Sequence, residues 1–392
     1  MKSMRKSEVL CMVLCTLVLF CMGVMPKYSL ENPAKAEGVF ESKIDYASSA
    51  QGACLMDVDS HRIFYSKNDN LKLPMASTTK IVTAITAILN YEDLNTRQPI
   101  PQQAVGIEGS SIYLKNGEML SLKELLYGLM LRSGNDAATA IAYMVAGGIP
   151  QFAELMNSLA QSVGAKNSHF TNPHGLDDPQ HYTTAYDLAL ITSFALNNPI
   201  FAEIVKTKNI KICEDEENYR YLVNKNKLLY NMPSCIGVKT GYTKKAGRCL
   251  VSASLKDNLK VVCVVLNCGP MFEESKQLLT LAHEKFKSVE IIEPYHYYNS
   301  VLVENGEQKS VSLYSREGLR LALSNDELYN INVEYDIPKS LVAPVENEKE
   351  VGNVKVYYGK HLIFSEKIYT MDSVKSRLLK DKVKDILDEW SL

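Results

Sequence analysis

The first third of the chain changes from a strand-like to a helix-like pattern of apolar positions. Residues 53–59 and 62–65 form two largely apolar runs separated by a short polar turn, which predicts a partly buried β-hairpin. After Pro74, apolar residues fall on one helical face over residues 81–89, although several residues there are β-branched. Ser77 therefore lies where this helix is predicted to begin.

From about residue 105 to residue 205 the pattern is mainly helical, and strand-like runs return further on. Four segments have apolar residues three and four positions apart: Leu122–Leu131, Ala137–Val145, Gln151–Val163 and Thr184–Leu196. Three strand-like runs and an amphipathic helix follow: Ile236–Lys239, Arg248–Leu255, Lys260–Leu266 and Glu273–Phe286. Strands on both sides of an all-helical insert predict one α/β domain over residues 45–290, with a sheet assembled from distant segments.

Beyond residue 290 the pattern changes to short alternating strands separated by turn residues such as Asn305-Gly306. Residues 291–370 are therefore predicted to form a small, all-β C-terminal domain. Residues 371–392 place their apolar side chains, Trp390 among them, on one face, which predicts an amphipathic helix. Such a helix docks on its own protein or lies in a membrane interface, and the sequence leaves both interpretations open.

The N-terminus has the organisation of an export signal. Basic residues precede the apolar run 9–25, and residues 34–36 (Ala-Lys-Ala) offer a cleavage site. Residues 1–36 are therefore predicted to be a signal peptide. Because the apolar run is at the short limit of a membrane span, an uncleaved anchor is the alternative. Both cases place the rest of the chain at the outer face of the cytoplasmic membrane or in the cell wall.

Composition excludes several classes of function. With 43 basic and 45 acidic residues there is no basic excess to bind a phosphate backbone, so nucleic acid is not a predicted partner. The seven histidines lack metal-binding spacing and no phosphate-binding glycine motif occurs, so neither a metal nor another cofactor is predicted. The six cysteines beyond residue 36 include no C-x-x-C pair, which favours core packing over disulfides or redox chemistry.

Ser77 and Lys80 place a hydroxyl and an amine one turn apart at a helix start, so both project from the same face. Serine is a weak nucleophile until a base removes its proton, and lysine can be that base when burial and a neighbouring cation lower its pKa. The free N–H groups of the helix start also favour negative charge there. The pattern alone is weak, since Ser3 and Lys6 repeat it in the export signal, and an N-cap serine is the alternative.

Two further motifs strengthen the interpretation of Ser77 as a nucleophile. Ser133-Gly134-Asn135 directly follows an apolar helix, and Lys239-Thr240-Gly241 lies on a predicted strand. A serine two residues before an asparagine is common, whereas the Lys-Thr-Gly string occurs once in the chain. In this order, and on the elements that each needs, the three motifs are a strong signal of nucleophilic serine chemistry.

In this combination the chain resembles the penicillin-binding proteins and class A β-lactamases, whose signature is S-x-x-K, S-D-N and K-T-G. Longer strings resemble the low-molecular-mass, serine-type D-alanyl-D-alanine carboxypeptidases of peptidase family S11: residues 74–80, 131–138, 170–177, 182–187 and 237–247. The resemblance is close over residues 45–290 and looser over the β domain. It implies a transpeptidase-like α/β domain, with an antiparallel sheet, flanking helices and a helical insert, followed by the small β domain.

The resemblance also implies a role for each residue of the first two motifs. Ser77 would form the acyl-enzyme, and Lys80 would be the base that activates it. Ser133 would relay protons to the leaving amine. Asn135 would hold Lys80 and the substrate amide.

On the third motif, the resemblance implies that Lys239 lowers the pKa of Lys80 and polarises Ser133, which agrees with the need for a second cation. Thr240, followed by Gly241 on the substrate-binding strand, would bind the substrate's terminal carboxylate. The backbone N–H groups of Ser77 and Tyr242 would form the oxyanion hole.

A free terminal carboxylate calls for a cation, and its identity is less certain from the sequence. Such carboxypeptidases often have an arginine just after the strand that follows K-T-G, but this chain has none in residues 267–271. Arg248 stands nine residues beyond Lys239, the offset of the carboxylate-binding arginine in class A β-lactamases. It is the candidate, with an outward-facing strand charge as the alternative. His174 is expected beside the site in a structural rather than a proton-transferring role.

The implied function is removal of the terminal D-alanine from peptidoglycan stem peptides, with β-lactams acylating the same serine. Peptides ending in D-Ala-D-Ala and β-lactam inhibitors are therefore the predicted partners. A non-catalytic penicillin-binding wall sensor and a serine β-lactamase are the alternatives. Class A β-lactamases deacylate with a glutamate in the loop before the third motif, and this chain has no glutamate between Glu154 and Glu203.

Overall fold

The computed structural model describes residues 40, 42–213, 219–297 and 299–378. These residues divide into two compact units: residues 40–289 with 321–331, and residues 290–320 with 332–378. The signal peptide predicted over residues 1–36 lies outside the described residues.

The helices and strands follow the predicted pattern closely. Up to residue 206 they are β1 (Gly52–Asp57), β2 (Ile63–Lys67), a 3₁₀ turn (Ala76–Thr79), α1 (Lys80–Leu89), β3 (Arg97–Pro99), a 3₁₀ turn (Gln102–Ala104), β4 (Met119–Ser121), α2 (Leu122–Tyr127), a π turn (Gly128–Arg132), α3 (Asn135–Ala146), α4 (Ile149–Ser162), α5 (Ala185–Leu196) and α6 (Pro199–Lys206). Then come β5 (Asn209–Ile212), β6 (Arg220–Val223), α7 (Leu228–Asn231), β7 (Cys235–Thr243), β8 (Gly247–Lys256), β9 (Leu259–Leu266) and α8 (Met271–Lys285). The predicted hairpin, helices and three strands are confirmed.

A five-stranded antiparallel sheet in the order β2-β1-β9-β8-β7 forms the centre of the first unit. β1 pairs with β9 from the far end of the unit, so the prediction of a sheet assembled from distant segments is confirmed. Because side chains alternate across a strand, neighbouring residues enter two different cores. Cys54 and Met56 pack with the helices of the insert, whereas Leu55 and Leu250 pack with Leu278 of α8.

All six cysteines that the structure describes are buried, and none of them forms a disulfide bond: Cys54, Cys213, Cys235, Cys249, Cys263 and Cys268. The preference for core packing over disulfides is therefore confirmed for these residues. Buried thiols of this kind behave as small apolar side chains.

The apolar pattern of the sequence did not predict two short pairs of strands in the first unit. β3 pairs with β4 inside the otherwise helical insert, and β5 pairs with β6 after it. Strands of three or four residues are too short for alternation to stand out, and most of their side chains are polar or partly exposed.

The remaining elements are β10 (Lys287–Ile292), β11 (Asn299–Glu304), β12 (Ser310–Ser315), β13 (Leu319–Leu323), α9 (Asn325–Leu328), β14 (Ile331–Asp336), β15 (Ser340–Val342), β16 (Glu350–Tyr358) and β17 (His361–Thr370). Within the second unit, a six-stranded sheet has the order β14-β16-β17-β12-β11-β15. Strands β16 and β17 form a long antiparallel hairpin, and β11 and β15 run parallel. This confirms the predicted all-β character of the C-terminal part.

The amphipathic helix predicted over residues 371–392 does not include residues 371–378, and residues 379–392 lie outside the described residues. Val374 is buried and exchanges two backbone hydrogen bonds of 2.8 Å with Val345. Ser376 forms a second bridge, to Gly306. These pairings with the second unit hold the backbone of residues 374–376 extended. The helical periodicity of the sequence therefore does not decide the conformation of this segment.

Among the described residues, no single helix is long and apolar enough to cross a membrane. The pair α5 and α6 meets the length and composition criteria only together, across a bend of 106°. Most of α5 is buried in the core of the first unit.

A buried ion pair fastens residues 321–331 into the first unit. Arg62 donates to both carboxylate oxygens of Glu327, over 2.7 and 2.9 Å, and the two side chains are only 7% and 3% exposed. The guanidinium also donates to the carbonyl oxygens of Ala322 and Ser42. It lies 4.8 Å from the ring centre of Phe286. These hydrogen bonds from protein groups take the place of those that the guanidinium would make with water.

Replacing Glu327 with alanine leaves the Arg62 guanidinium buried without its counter-charge. We expect the free energy of unfolding to fall by about 3 kcal/mol, the usual cost of breaking a buried pair from one side. Urea denaturation of the purified protein measures this change. Glu348→Ala is the matched control, because its partner Arg316 is exposed, and it should leave the unfolding midpoint unchanged. Equal effects of the two substitutions would contradict the importance of the buried pair.

Candidate active site

Ser77 stands on the 3₁₀ turn that leads directly into α1, and Lys80 is the first residue of that helix. The spacing of three residues places both side chains on one face, and Lys80 Nζ donates to Ser77 Oγ over 3.0 Å. The preceding residue, Ala76, has a left-handed backbone with φ of 50°. Ser77 thus projects from a strained turn, half-buried, within reach of a lysine amine.

The amine of Lys80 is completely buried and has three neutral acceptors. Besides Ser77 Oγ, it donates to Asn135 Oδ1 over 2.7 Å and to the carbonyl oxygen of His174 over 2.6 Å. Asn135 is held in turn, since its Nδ2 donates to the carbonyl oxygen of Glu108 over 2.6 Å. The first two predicted motifs are therefore joined through Lys80.

The electrostatics of the site favour neutral amines. Burial holds the pKa of Lys80 well below its usual range, and the positive charges of Lys239 and Lys225 add to the effect. Burial, followed by the charge of Lys225, also lowers the pKa of Lys239 to about 7. Lys239 is 1% exposed and donates to the carbonyl oxygen of Thr240 over 2.9 Å. A neutral Lys80 amine can accept a proton from the Ser77 hydroxyl.

Ser133 and Asn135 are fixed by an unusual turn between the π turn and α3. Ser133 is 4% exposed and adopts a left-handed backbone with φ of 64°. The carboxylate of Asp136 accepts hydrogen bonds from Ser111 Oγ and from the backbone N–H groups of Ile112 and Leu114. This carboxylate ties the loop at residues 111–114 to the start of α3.

β7 passes directly beside the turn that carries Ser77. A Cβ atom added at Gly241 would lie 2.9 Å from the carbonyl oxygen of Met75 and 3.1 Å from the backbone nitrogen of Ser77. Only a glycine allows this approach, which explains why the third motif ends in one. Thr240 is half-buried, whereas the Tyr242 side chain is 65% exposed.

Arg248 lies on β8 and pairs with Tyr242 of β7. The neighbouring pair of this ladder is Cys249 with Gly241. Directly opposite residues share a face, so Arg248 lies on the same face as Tyr242 and Thr240, and Lys239 lies on the other. Its exposed guanidinium donates to the carbonyl oxygen of Gly269 over 3.3 Å. The structure thus brings Arg248 beside the Thr240 face of the motif but not to the cluster around Lys80.

Lys225 is a member of the site that the sequence did not indicate. Its Nζ donates to Ser110 Oγ over 3.2 Å, and its backbone N–H donates to the carbonyl oxygen of Leu131. Its charge acts on both Lys80 and Lys239. A lysine in the polar segment after β6 has no motif around it, so only the tertiary fold reveals its position.

His174 lies beside Lys80, as expected, and contributes its backbone carbonyl. Burial, followed by the charge of Lys80, lowers the pKa of the His174 ring to about 3, so the ring is neutral near pH 7. The next residue, Gly175, has φ of 84°, and a Cβ there would lie 2.0 Å from the carbonyl oxygen of Ala76. The loop at residues 172–176 therefore also presses against the Ser77 turn.

The described part of the chain has no group of three or more His, Cys, Asp or Glu side chains placed to hold a metal ion. The side chains gathered at the site offer the hydroxyl groups of Ser77 and Ser133 and the amines of Lys80, Lys239 and Lys225.

Comparison with known proteins assigns the chain to a family. The model of peptidase family S11, described as D-alanyl-D-alanine carboxypeptidase, matches residues 39–269. The chain belongs to the D-alanyl-D-alanine carboxypeptidase family. A second model, the C-terminal domain of penicillin-binding protein 5, matches residues 286–376. Both matches agree with the fold of this carboxypeptidase.

Relatives and solved structures support the assignment along most of the chain. This carboxypeptidase is 27% identical over 366 residues to the D-alanyl-D-alanine carboxypeptidase DacF of Bacillus subtilis, covering 91% of this chain and 94% of that protein. It is 29% identical over 372 residues to DacD of Salmonella typhimurium, covering 91% and 93%. Penicillin binding protein 5 from Haemophilus influenzae is similar in structure, with a TM-score of 0.69, 27% identity and coverage of 85% and 99%.

Replacing Gly241 with alanine tests the close approach of β7 to the Ser77 turn. The added methyl group would push the strand away from Ser77, and we expect acylation by a labelled penicillin to slow about 100-fold, as misplaced reacting groups do. Gly269→Ala is the matched control, because nothing lies within 4 Å of a Cβ at that position. Stopped-flow labelling measures both rates, and an unchanged rate in Gly241→Ala would contradict the steric argument.

Proposed function

We propose that this carboxypeptidase removes the terminal D-alanine of peptidoglycan stem peptides through an acyl-enzyme on Ser77, with Lys80 as the base. The observation that carries the proposal is the fully buried Lys80 amine, 3.0 Å from Ser77 Oγ. Burial, the charge of Lys239 and the charge of Lys225 hold its pKa well below the usual range, which favours the neutral amine that can act as a base.

In the proposed acylation, the Lys80 amine takes the proton of the Ser77 hydroxyl, and Oγ attacks the carbonyl carbon of the scissile peptide bond. The tetrahedral oxyanion accepts hydrogen bonds from the backbone N–H groups of Ser77 and Tyr242. The C–N bond then breaks, and the leaving amine receives the proton through Ser133. D-Alanine departs, and the rest of the stem peptide stays as an ester on Ser77.

Asn135, Lys239 and Thr240 are proposed to orient the substrate during this step. Asn135 already holds Lys80 through its Oδ1, and the proposal gives it a contact with the substrate amide as well. Lys239 lowers the pKa of Lys80 and polarises the Ser133 hydroxyl. Thr240 binds the terminal carboxylate. Arg248, on the same strand face as Thr240, supplies the cation for that carboxylate.

Deacylation separates the peptidase from a β-lactamase. A water molecule hydrolyses the peptidyl ester and frees Ser77, whereas a bulky penicilloyl ester stays bound. A class A β-lactamase deacylates with a glutamate, and the two glutamates that flank the loop before the third motif are Glu154 and Glu203. Glu154 lies exposed on α4, whereas Glu203 accepts a hydrogen bond from Tyr127 and pairs with Lys123. A slow loss of the penicilloyl group is therefore part of the proposal.

The site of action is proposed to be the peptidoglycan outside the cytoplasmic membrane. The predicted signal at residues 1–36 directs export, and an amphipathic segment beyond residue 378 provides peripheral membrane contact.

Incubation with a peptide ending in D-Ala-D-Ala, and separately with a labelled penicillin, tests the function. We expect release of D-alanine and a stable penicilloyl label on Ser77, both abolished in Ser77→Ala. Mass spectrometry of the labelled peptide identifies the modified residue. Rapid turnover of penicillin would instead support a β-lactamase, and labelling without D-alanine release would support a wall sensor.

The variants Arg248→Ala and Lys225→Met test the separate roles proposed for Arg248 and Lys225. Loss of Arg248 should raise KM about tenfold for peptides with a free C-terminal carboxylate, the cost of one charge-assisted hydrogen bond.

Loss of Lys225 removes a charge that lowers the Lys80 pKa, so that pKa rises. Because the neutral amine is the base, the acid limb of the kcat/KM profile should move to higher pH.

Each variant is the control for the other, because Arg248 is not among the groups that shift the pKa of Lys80 or Lys239. The acid limb of the kcat/KM profile of Arg248→Ala should therefore match that of the wild type. Unchanged KM in Arg248→Ala would remove it from the carboxylate site, and an unchanged pH profile in Lys225→Met would remove Lys225 from the control of Lys80.

A further inference from the structure

A chain of hydrogen bonds runs from a buried histidine outside the three motifs to the residue before the nucleophile. His181 is 4% exposed, and its Nε2 lies 2.8 Å from Thr79 Oγ1. Thr79 Oγ1 donates to the carbonyl oxygen of Ala76 over 2.8 Å. Thr79 is one of the two residues between Ser77 and Lys80, so the chain enters the middle of the first motif.

The neighbouring bonds fix the protonation state of this histidine. The backbone N–H of Thr171 donates to His181 Nδ1 over 3.0 Å, so Nδ1 is the acceptor and carries no proton. The ring proton is then on Nε2 and is donated to Thr79 Oγ1, whose own proton goes to Ala76. Burial also lowers the pKa of His181 to about 4, which keeps the ring neutral near pH 7.

The receiving end of the chain is strained. Ala76 has φ of 50°, a left-handed conformation that residues with a side chain rarely adopt and that persists only when its surroundings enforce it. Its carbonyl oxygen also faces Gly175, where no Cβ could fit. The direction of the Ala76 carbonyl fixes the peptide that leads into Ser77. Releasing that carbonyl would let the Ser77 side chain turn away from Lys80.

We propose that His181 is a positioning residue, which holds the strained backbone at Ala76 through Thr79 and thereby keeps Ser77 Oγ directed at Lys80 and the substrate. This inference rests on the proposed role of Ser77 as the nucleophile. His181 itself touches neither substrate nor reacting atoms, so its loss affects the rate of acylation rather than the binding of the peptide.

The test compares His181→Leu, Thr79→Val and the double variant with the wild type. For each, we would measure the rate of Ser77 labelling by a fluorescent penicillin, kcat and KM for D-alanine release, and the melting temperature. Each single variant should slow acylation about 10- to 100-fold with little change in KM, the effect of a small misplacement of a reacting group. Because both act through one chain, the double variant should be no slower than the slower single variant.

Two further variants provide the rescue and the control. Thr79→Ser retains the hydroxyl and should recover most of the acylation rate. His169→Gln changes a histidine of the same loop that bonds to the carbonyl oxygen of Gln180 instead of to the Ser77 turn, and should acylate like the wild type. If His181→Leu does not fold, the comparison of Thr79→Val with Thr79→Ser still tests the link.

The outcomes distinguish the inference from the proposed function. Wild-type acylation rates in His181→Leu and Thr79→Val, with only the melting temperature lowered, would overturn the positioning role. Losses that multiply in the double variant would also overturn it. Absence of any label on Ser77 in the wild-type protein would instead overturn Ser77 as the nucleophile.

Discussion

The site depends on keeping the amine of Lys80 buried without a carboxylate bonded to it. Its three hydrogen-bond partners are a hydroxyl, a side-chain amide oxygen and a carbonyl oxygen, all neutral, and the nearby charges of Lys239 and Lys225 are positive. Burial of an unpaired ammonium is costly, so the neutral amine is favoured. The opposing carboxylate, Asp136, is occupied by the backbone N–H groups of the loop at residues 111–114. The low pKa of this amine is thus set by the fold rather than by lysine itself.

Close backbone contacts, made where a side chain would not fit, bring Ser77 to this amine. Gly241 on β7 and Gly175 in the preceding loop both press on the turn that carries Ser77. Ala76 and Ser133 hold left-handed conformations next to the reacting groups. Strain of this kind needs support from its surroundings, and the buried link from His181 is one such support. Positioning of Ser77 therefore involves residues well outside its motif.

The same architecture explains why one carboxypeptidase fold needs both a large sheet and a helical insert. The sheet contributes Lys239 and the strand face shared by Thr240 and Arg248, while the insert contributes Ser133 and Asn135. Neither half contains a complete site. β7 lies at the edge of this sheet, directly beside the turn that carries Ser77.

The sequence by itself determined most of the elements and the positions of the candidate motifs. Hydrophobic periodicity located most helices and the five strands of the central sheet in the first unit, and three short strings made Ser77, Lys80 and Lys239 candidates for nucleophilic serine chemistry. Periodicity failed over residues 371–378, where pairing with the β unit overrides the helical pattern. Tertiary structure alone decided the pKa values, the place of Lys225 and the link through His181. These depend on burial and on contacts between segments far apart in the chain, which no local pattern records.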